Sequence, residues 1–317
     1  MAGLGNLPDD GAMTVVTPQT PSLPPAPETP QTAALPYHRL ALAGPRPRWW
    51  RPLAAVILSV VAYTVFLVLL AVVAVFAAPA WTERITADPT DAFDLADPVA
   101  AAFSSVMLAL MIPAIAIGVR LAERRRLGTL SSVAGRLRVG LLGRYGVFAL
   151  VLFVAYTAMV LVIDAATGSA PTLEWDAASA GLLAVALLLV PFQAAAEEYA
   201  FRALPQQVLG AWLRSPWWGI VLPVPLFVFG HDYTLPGQLS IAVFALAAGV
   251  LTWRTGGLEA AIALHVVNNA AIFILGAIGI ADLSATDISW LAAALDAAMI
   301  ASFTFLVLRD QGRRQIA

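Results

Sequence analysis

Three charged side chains interrupt an apolar run. In AAAEEYAFR, residues 194–202, Glu197 and Glu198 are adjacent and Arg202 follows four residues after Glu198. The stretch before them, GLLAVALLLVPFQ, carries no charge. An unpaired charge in hydrocarbon costs several kcal/mol, so charges placed there need partners or a function. On a helix, Glu198 and Arg202 lie at i and i+4 on one face and can neutralise each other. Glu197 is rotated about 100° from Glu198 and is left to face something else. The alternative is a purely structural cluster in which all three charges lock two helices together.

Two further groups have chemical potential. The chain has three histidines. His38 lies in the N-terminal segment, so both remaining histidines, His231 in FVFGH and His265 in HVVNN, fall inside or at the end of apolar stretches. A lone histidine there is more often a hydrogen-bonding structural residue than a catalyst, but two of them with a spare glutamate are harder to dismiss as structural. His265 and Asn269 lie at i and i+4, so their side chains leave one helix face like two donors aimed at a single oxygen. Asp296, in the last apolar stretch, is expected to be a polar residue that packs helices together.

The elements that carry these residues are membrane elements. Of 317 residues, 60% are apolar and only 12% charged, and the mean hydropathy is +0.81, too little polar surface to cover a soluble globule. The absence of cysteine excludes disulfides, a thiolate zinc site and a cysteine nucleophile. The net charge of −2 says little about partners, since the distribution of charge carries more information than the sum, and nucleic-acid binding has no support. Eight apolar segments follow one another, at about 53–78, 100–119, 145–163, 177–196, 217–230, 239–253, 258–278 and 288–308. None alternates with a two-residue period, so the expected fold is an all-α polytopic bundle of about eight transmembrane helices in a domain over 51–317. Arginines gather before the first segment and after the second, fourth, sixth and eighth. The intervening loops DPTDAFDLADP, DAATGSAPTLEWD, HDYTLPGQ and ADLSATD hold acids and no lysine or arginine. By the positive-inside rule both termini face the cytoplasm.

Residues 1–50, with TPQTPSLPPAPETPQTAALP, read as a disordered Pro-rich cytoplasmic tail whose composition would also suit docking to a partner domain. No apolar core near Met1 marks a cleavable signal peptide.

Hydropathy alone would set Glu197 and His231 at opposite ends of their segments. If the fourth helix instead continues past the glutamates and turns at Arg214–Pro216, each lies about 17 residues from the tip of an antiparallel hairpin and their depths match. Pro205 should kink that extension.

In order, EEYAFR fits EExxxR, FVFGH fits FxxxH and HVVNN fits HxxxN. Together, on successive helices of a membrane protein, they resemble the CAAX protease and bacteriocin-processing (CPBP, Abi) family of intramembrane proteases over roughly 177–275. The resemblance implies an endopeptidase in which Glu197 activates water, His231 orients or deprotonates it, His265 and Asn269 stabilise the oxyanion, and Glu198 with Arg202 supports Glu197. It implies a membrane-associated peptide or protein substrate, the lipid bilayer as surroundings, a multi-pass location in a bacterial plasma membrane and no required cofactor. Zinc at Glu197, His231 and His265 is the alternative, without an HExxH helix to supply it. A proton-coupled transporter, or a non-proteolytic scaffold or immunity factor of the same family, are the rival functions. The first is disfavoured by the lack of internal repeats, the second by the complete motif set. Substrate and cleavage site are not encoded in these motifs.

Overall fold

A computed structural model describes residues 2–3, 35–44 and 48–316, with side chains to 314. Among the described residues it is all helical, with one isolated bridge, Ser132 to Gly257, in place of any strand. The proposed disorder and docking role of the tail fall largely outside the described residues. One part of it is ordered: Tyr37–Ala43 forms a 3-10 helix whose Tyr37, His38 and Leu40 are buried. It is fixed by the Tyr37 hydroxyl on the Leu130 carbonyl and by His38 Nε2 at 3.0 Å from the Arg214 carbonyl.

The helices are α1 Arg51–Ala77, α2 Pro79–Ala87, α3 Pro98–Ala109, α4 Met111–Glu123, α5 Gly128–Ser131, α6 Val139–Thr167, α7 Ser179–Leu188, α8 Val190–Glu198, α9 Leu204–Trp212, α10 Trp217–Val221, α11 Pro223–Phe229, α12 Leu235–Thr255, α13 Glu259–Ala277 and α14 Trp290–Ile316. All eight apolar segments of the sequence fall on helices. Six helices, taking α3 with α4, are long and apolar enough to cross a bilayer, and a seventh is gained if the bent pair α7 and 190–212 is one span. The apolar helix Trp217–Phe229 is shorter than a crossing requires.

Prolines explain the breaks. Pro113, Pro191 and Pro223 lie one to three residues after the interruptions at Leu110, Leu189 and Leu222, each removing an N–H that the previous turn would have used. The expected kink at Pro205 is not where the chain bends; the 42° bend is at Leu189. Ahead of Pro205 the backbone instead widens into a π turn, Tyr199–Ala203, in which the Leu204 N–H reaches the Tyr199 carbonyl. Widening relieves the clash between the proline ring and the preceding carbonyls, so the helix runs on through the glutamates to Trp212.

Arg84, which the loop-charge scheme leaves out, sits on α2 and is paired with Asp91 at 3.3 Å and with Asp97. The other arginine-bearing regions meet at one end of the bundle. There Arg138 pairs with Glu259 at 2.7 Å, Arg144 with Asp310, the Trp212 indole donates to the Trp49 carbonyl at 2.7 Å, and Arg125 donates to Gln207 at 2.7 Å. At the opposite end the acidic loops touch, through Thr234 to Asp287 at 3.0 Å and the Glu174 N–H to the Ile278 carbonyl at 3.0 Å. Close helix contacts depend on small residues. A Cβ at Gly118 of α4 would lie 2.4 Å from the Ala55 carbonyl of α1, and one at Gly219 of α10 would lie 2.5 Å from the Gln206 Cα of α9.

Candidate active site

The chain reverses between Trp212 and Trp217, and α10–α11 runs back along α9 and the π turn. Phe201 meets Phe227 edge-on at 5.1 Å. Glu197 and His231 are each one helical turn further along their arms from that contact, so the hairpin sets them at comparable depth. α13 crosses α8 and brings its His265 and Asn269 face onto the glutamates. His265 is six residues into the 19-residue α13, in the half nearer the arginine-rich end.

Both glutamates are buried, Glu197 6% and Glu198 0% exposed. His265 lies between them. Its Nδ1 is 2.7 Å from Glu198 Oε1 and its Nε2 is 3.7 Å from Glu197 Oε2. Because a carboxylate only accepts, the ring nitrogen facing Glu198 carries a proton. Arg202 Nη1 is 3.3 Å from the same Glu198 oxygen, and its guanidinium lies over the rings of Phe227 at 4.0 Å and Phe244 at 5.2 Å. Glu198 therefore serves two partners, Arg202 in its own helix run and His265 on α13, rather than Arg202 alone. The aromatic faces supply part of the electrostatic stabilisation that the guanidinium loses on leaving water.

Glu197 has a different environment. Gln193, one turn earlier on α8, donates from Nε2 to Glu197 Oε1 at 2.6 Å. Glu197 Oε2 is buried and has no hydrogen-bond partner. Asn269 Nδ2 donates to Gln193 Oε1 at 3.3 Å, so Asn269 reaches the glutamate through an amide and not directly. Gln193 is the site residue that sequence motifs miss. Its only signal is an amide in an uncharged apolar stretch, at i−4 from Glu197.

His231 is placed differently from the other motif residues. It follows the end of α11, where its Nδ1 caps the Phe227 carbonyl at 2.8 Å, and it is partly exposed. Its ring packs on Phe227 at 4.8 Å, and Phe227 meets His265 edge-on at 6.2 Å. Among the described residues no hydrogen bond or ion pair joins His231 to Glu197; the link between the two histidines is the Phe227 ring. No group of three or more His, Asp or Glu side chains among the described residues is spaced to hold a metal ion. Asp296 lies outside the cluster, where the Ser240 hydroxyl donates to it and ties α12 to α14.

No curated protein and no solved structure matches the chain. Residues 179–271 match the model of a protein family described as type II CAAX prenyl endopeptidase Rce1-like. That span runs from α7 to α13 and contains Gln193, all three motifs and the Phe227 that packs between them. Residues 179–271 are thus similar to the CAAX prenyl endopeptidase family that the motifs resemble, and the long apolar helices make the chain an integral membrane protein.

Proposed function

We propose that this chain is an intramembrane endopeptidase in which Glu197 activates a water molecule for attack on a peptide carbonyl. The observation that carries the proposal is Glu197 Oε2, buried, without a hydrogen-bond partner and 3.7 Å from His265 Nε2. One water oxygen at about 2.8 Å from each of those atoms lies within hydrogen-bond distance of both. Glu197 takes a proton from the water as its oxygen bonds to the carbonyl carbon, and the carbonyl oxygen takes the charge. As the intermediate collapses, the C–N bond breaks and the same proton passes to the leaving amine.

The remaining residues have roles that follow from their partners. His231 Nδ1 donates to the Phe227 carbonyl, so in its neutral form Nε2 is the accepting nitrogen, suited to orienting or deprotonating water. His265 can donate to an oxyanion from Nε2 only as the doubly protonated ring, whose charge the flanking glutamates balance. Asn269 spends one N–H on Gln193 and keeps its second for the same oxyanion. Glu198 and Arg202 support His265 and the packing around it.

The protease core would span about 177–275 within a membrane domain over 51–317. What supports eight passes with cytoplasmic termini is the gathering of arginine-bearing regions at one end and acidic loops at the other. The substrate is a membrane-associated peptide or protein, and a farnesylated peptide ending in Cys-aliphatic-aliphatic-residue is the natural first probe.

The test uses the purified full chain in proteoliposomes with that peptide and a set of single-span membrane proteins. Glu197→Gln should insert and fold normally and lose about 10²–10⁴-fold in turnover of whatever the wild type cleaves. Turnover within twofold of wild type would remove the proposal. Cleavage should also survive exhaustive treatment with a zinc-selective chelator; loss reversed by stoichiometric zinc would overturn the metal-free mechanism.

A further inference from the structure

We infer that Gln193 is a positioning residue that couples the general base to the oxyanion arm, a step that rests on the proposed role of Glu197. The inference comes from the polarity of a chain of amides. Glu197 Oε1 at 2.6 Å from the Gln193 side chain can only accept, so Gln193 must turn its NH2 toward it. Gln193 Oε1 then faces away and is an acceptor, which requires Asn269 to present its own NH2, at 3.3 Å. Asn269 Oδ1 is left to accept from Asn268 Nδ2, also at 3.3 Å. One carboxylate thus fixes the orientation of two amides on two helices.

Two consequences bear on catalysis. With Oε1 engaged, Glu197 presents Oε2, the oxygen near His265 Nε2, as its free basic atom. With its orientation fixed, Asn269 holds an N–H available at the site, where a flipped amide would offer an acceptor that repels an oxyanion. Gln193 is 8% exposed and touches neither water-activating atom nor oxyanion, so its influence passes through its two neighbours.

The charged and titratable groups around this relay are few. Glu197, Glu198 and Arg202 share its helix run, His265 faces it from α13, and Tyr63 of α1 lies within electrostatic reach of Glu197. Gln193→Leu removes both hydrogen bonds at similar volume. Gln193→Glu is a conditional replacement: protonated, the introduced carboxyl has an O–H for Glu197 and a C=O for Asn269; ionised, it opposes Glu197 with a like charge.

The experiment measures kcat, KM and the pH profile of full-length variants in proteoliposomes on the substrate that wild type cleaves. Alongside, labelling of Glu197 by dicyclohexylcarbodiimide, which reacts with the protonated carboxyl, is mapped by mass spectrometry across pH and needs no turnover. Gln193→Leu should lower kcat at least tenfold with KM within about twofold, and Glu197 labelling should differ from that of wild type. Gln193→Glu should recover activity only on the acid side of the wild-type profile and lose it as pH rises. Unchanged kcat and unchanged labelling in Gln193→Leu would overturn the inference. Should that variant fail to fold, an unaltered pH profile for Gln193→Glu overturns it equally. Failure of the underlying mechanism is separate, because it shows as an active Glu197→Gln.

Discussion

At the scale of single residues, the two adjacent glutamates have unequal partners, and that inequality can be tested. Glu198 Oε1 is 2.7 Å from His265 Nδ1 and 3.3 Å from Arg202, fully buried. Glu198→Gln keeps an accepting oxygen for His265 but leaves Arg202 as an uncompensated buried cation, a change that costs about 3–5 kcal/mol. Its damage should appear first as reduced thermal stability in detergent. Combining it with Arg202→Met should recover part of that loss, while no change at Arg202 should rescue Glu197→Gln. A folded, inactive Glu198→Gln beside an active Glu197→Gln would reverse the two roles. The i, i+4 spacing of Glu198 and Arg202 was legible in the sequence because helix geometry is local. The sharing of Glu198 with His265 was not, since it depends on the crossing of α8 and α13. Gln193 was equally hidden, because an amide in an apolar run matches no motif and its meaning comes from Glu197 and Asn269 together.

At the scale of elements, the sequence located the helices well and their irregularities less well. Eight apolar segments were readable by composition, and continuation of the fourth past the glutamates was the condition for bringing Glu197 and His231 to one depth. The π turn before Pro205 meets that condition, and no hydropathy pattern announces it, because a proline is compatible with a kink, a break or a wide turn. The hairpin it permits depends on Gly219, where a Cβ would fall 2.5 Å from the Gln206 Cα. Gly219→Ala must push α10 away from α9, at about 1–3 kcal/mol for an overpacked contact. Both stability and turnover should fall, since Phe227 and His231 move with that arm. Gly140→Ala, on a helix with open space around it, should leave both unchanged. Equal behaviour of the two variants would mean that the hairpin tolerates separation and that His231 is placed by other contacts.

At the scale of the whole molecule, the distribution of charge is the property to test. Arginine-bearing regions distant in sequence are joined at one end of the bundle by Arg138 to Glu259, Arg144 to Asp310 and Arg125 to Gln207. At the acidic end Arg84 is matched by Asp91 and Asp97, so it does not disturb the asymmetry. A bundle with that polarity should insert with its arginine-rich end in the cytoplasm. Because the chain has no cysteine, one introduced thiol is a sole reporter of its side of the membrane. Arg126→Cys and Arg313→Cys, both at exposed positions, should be protected from a membrane-impermeant maleimide in intact cells and react once the membrane is opened. Ala87→Cys, exposed at the end of α2, should react in intact cells. Labelling at Arg313→Cys with protection at Arg126→Cys would require an odd number of passes after Arg126, leaving α10–α11 as a re-entrant segment rather than a span.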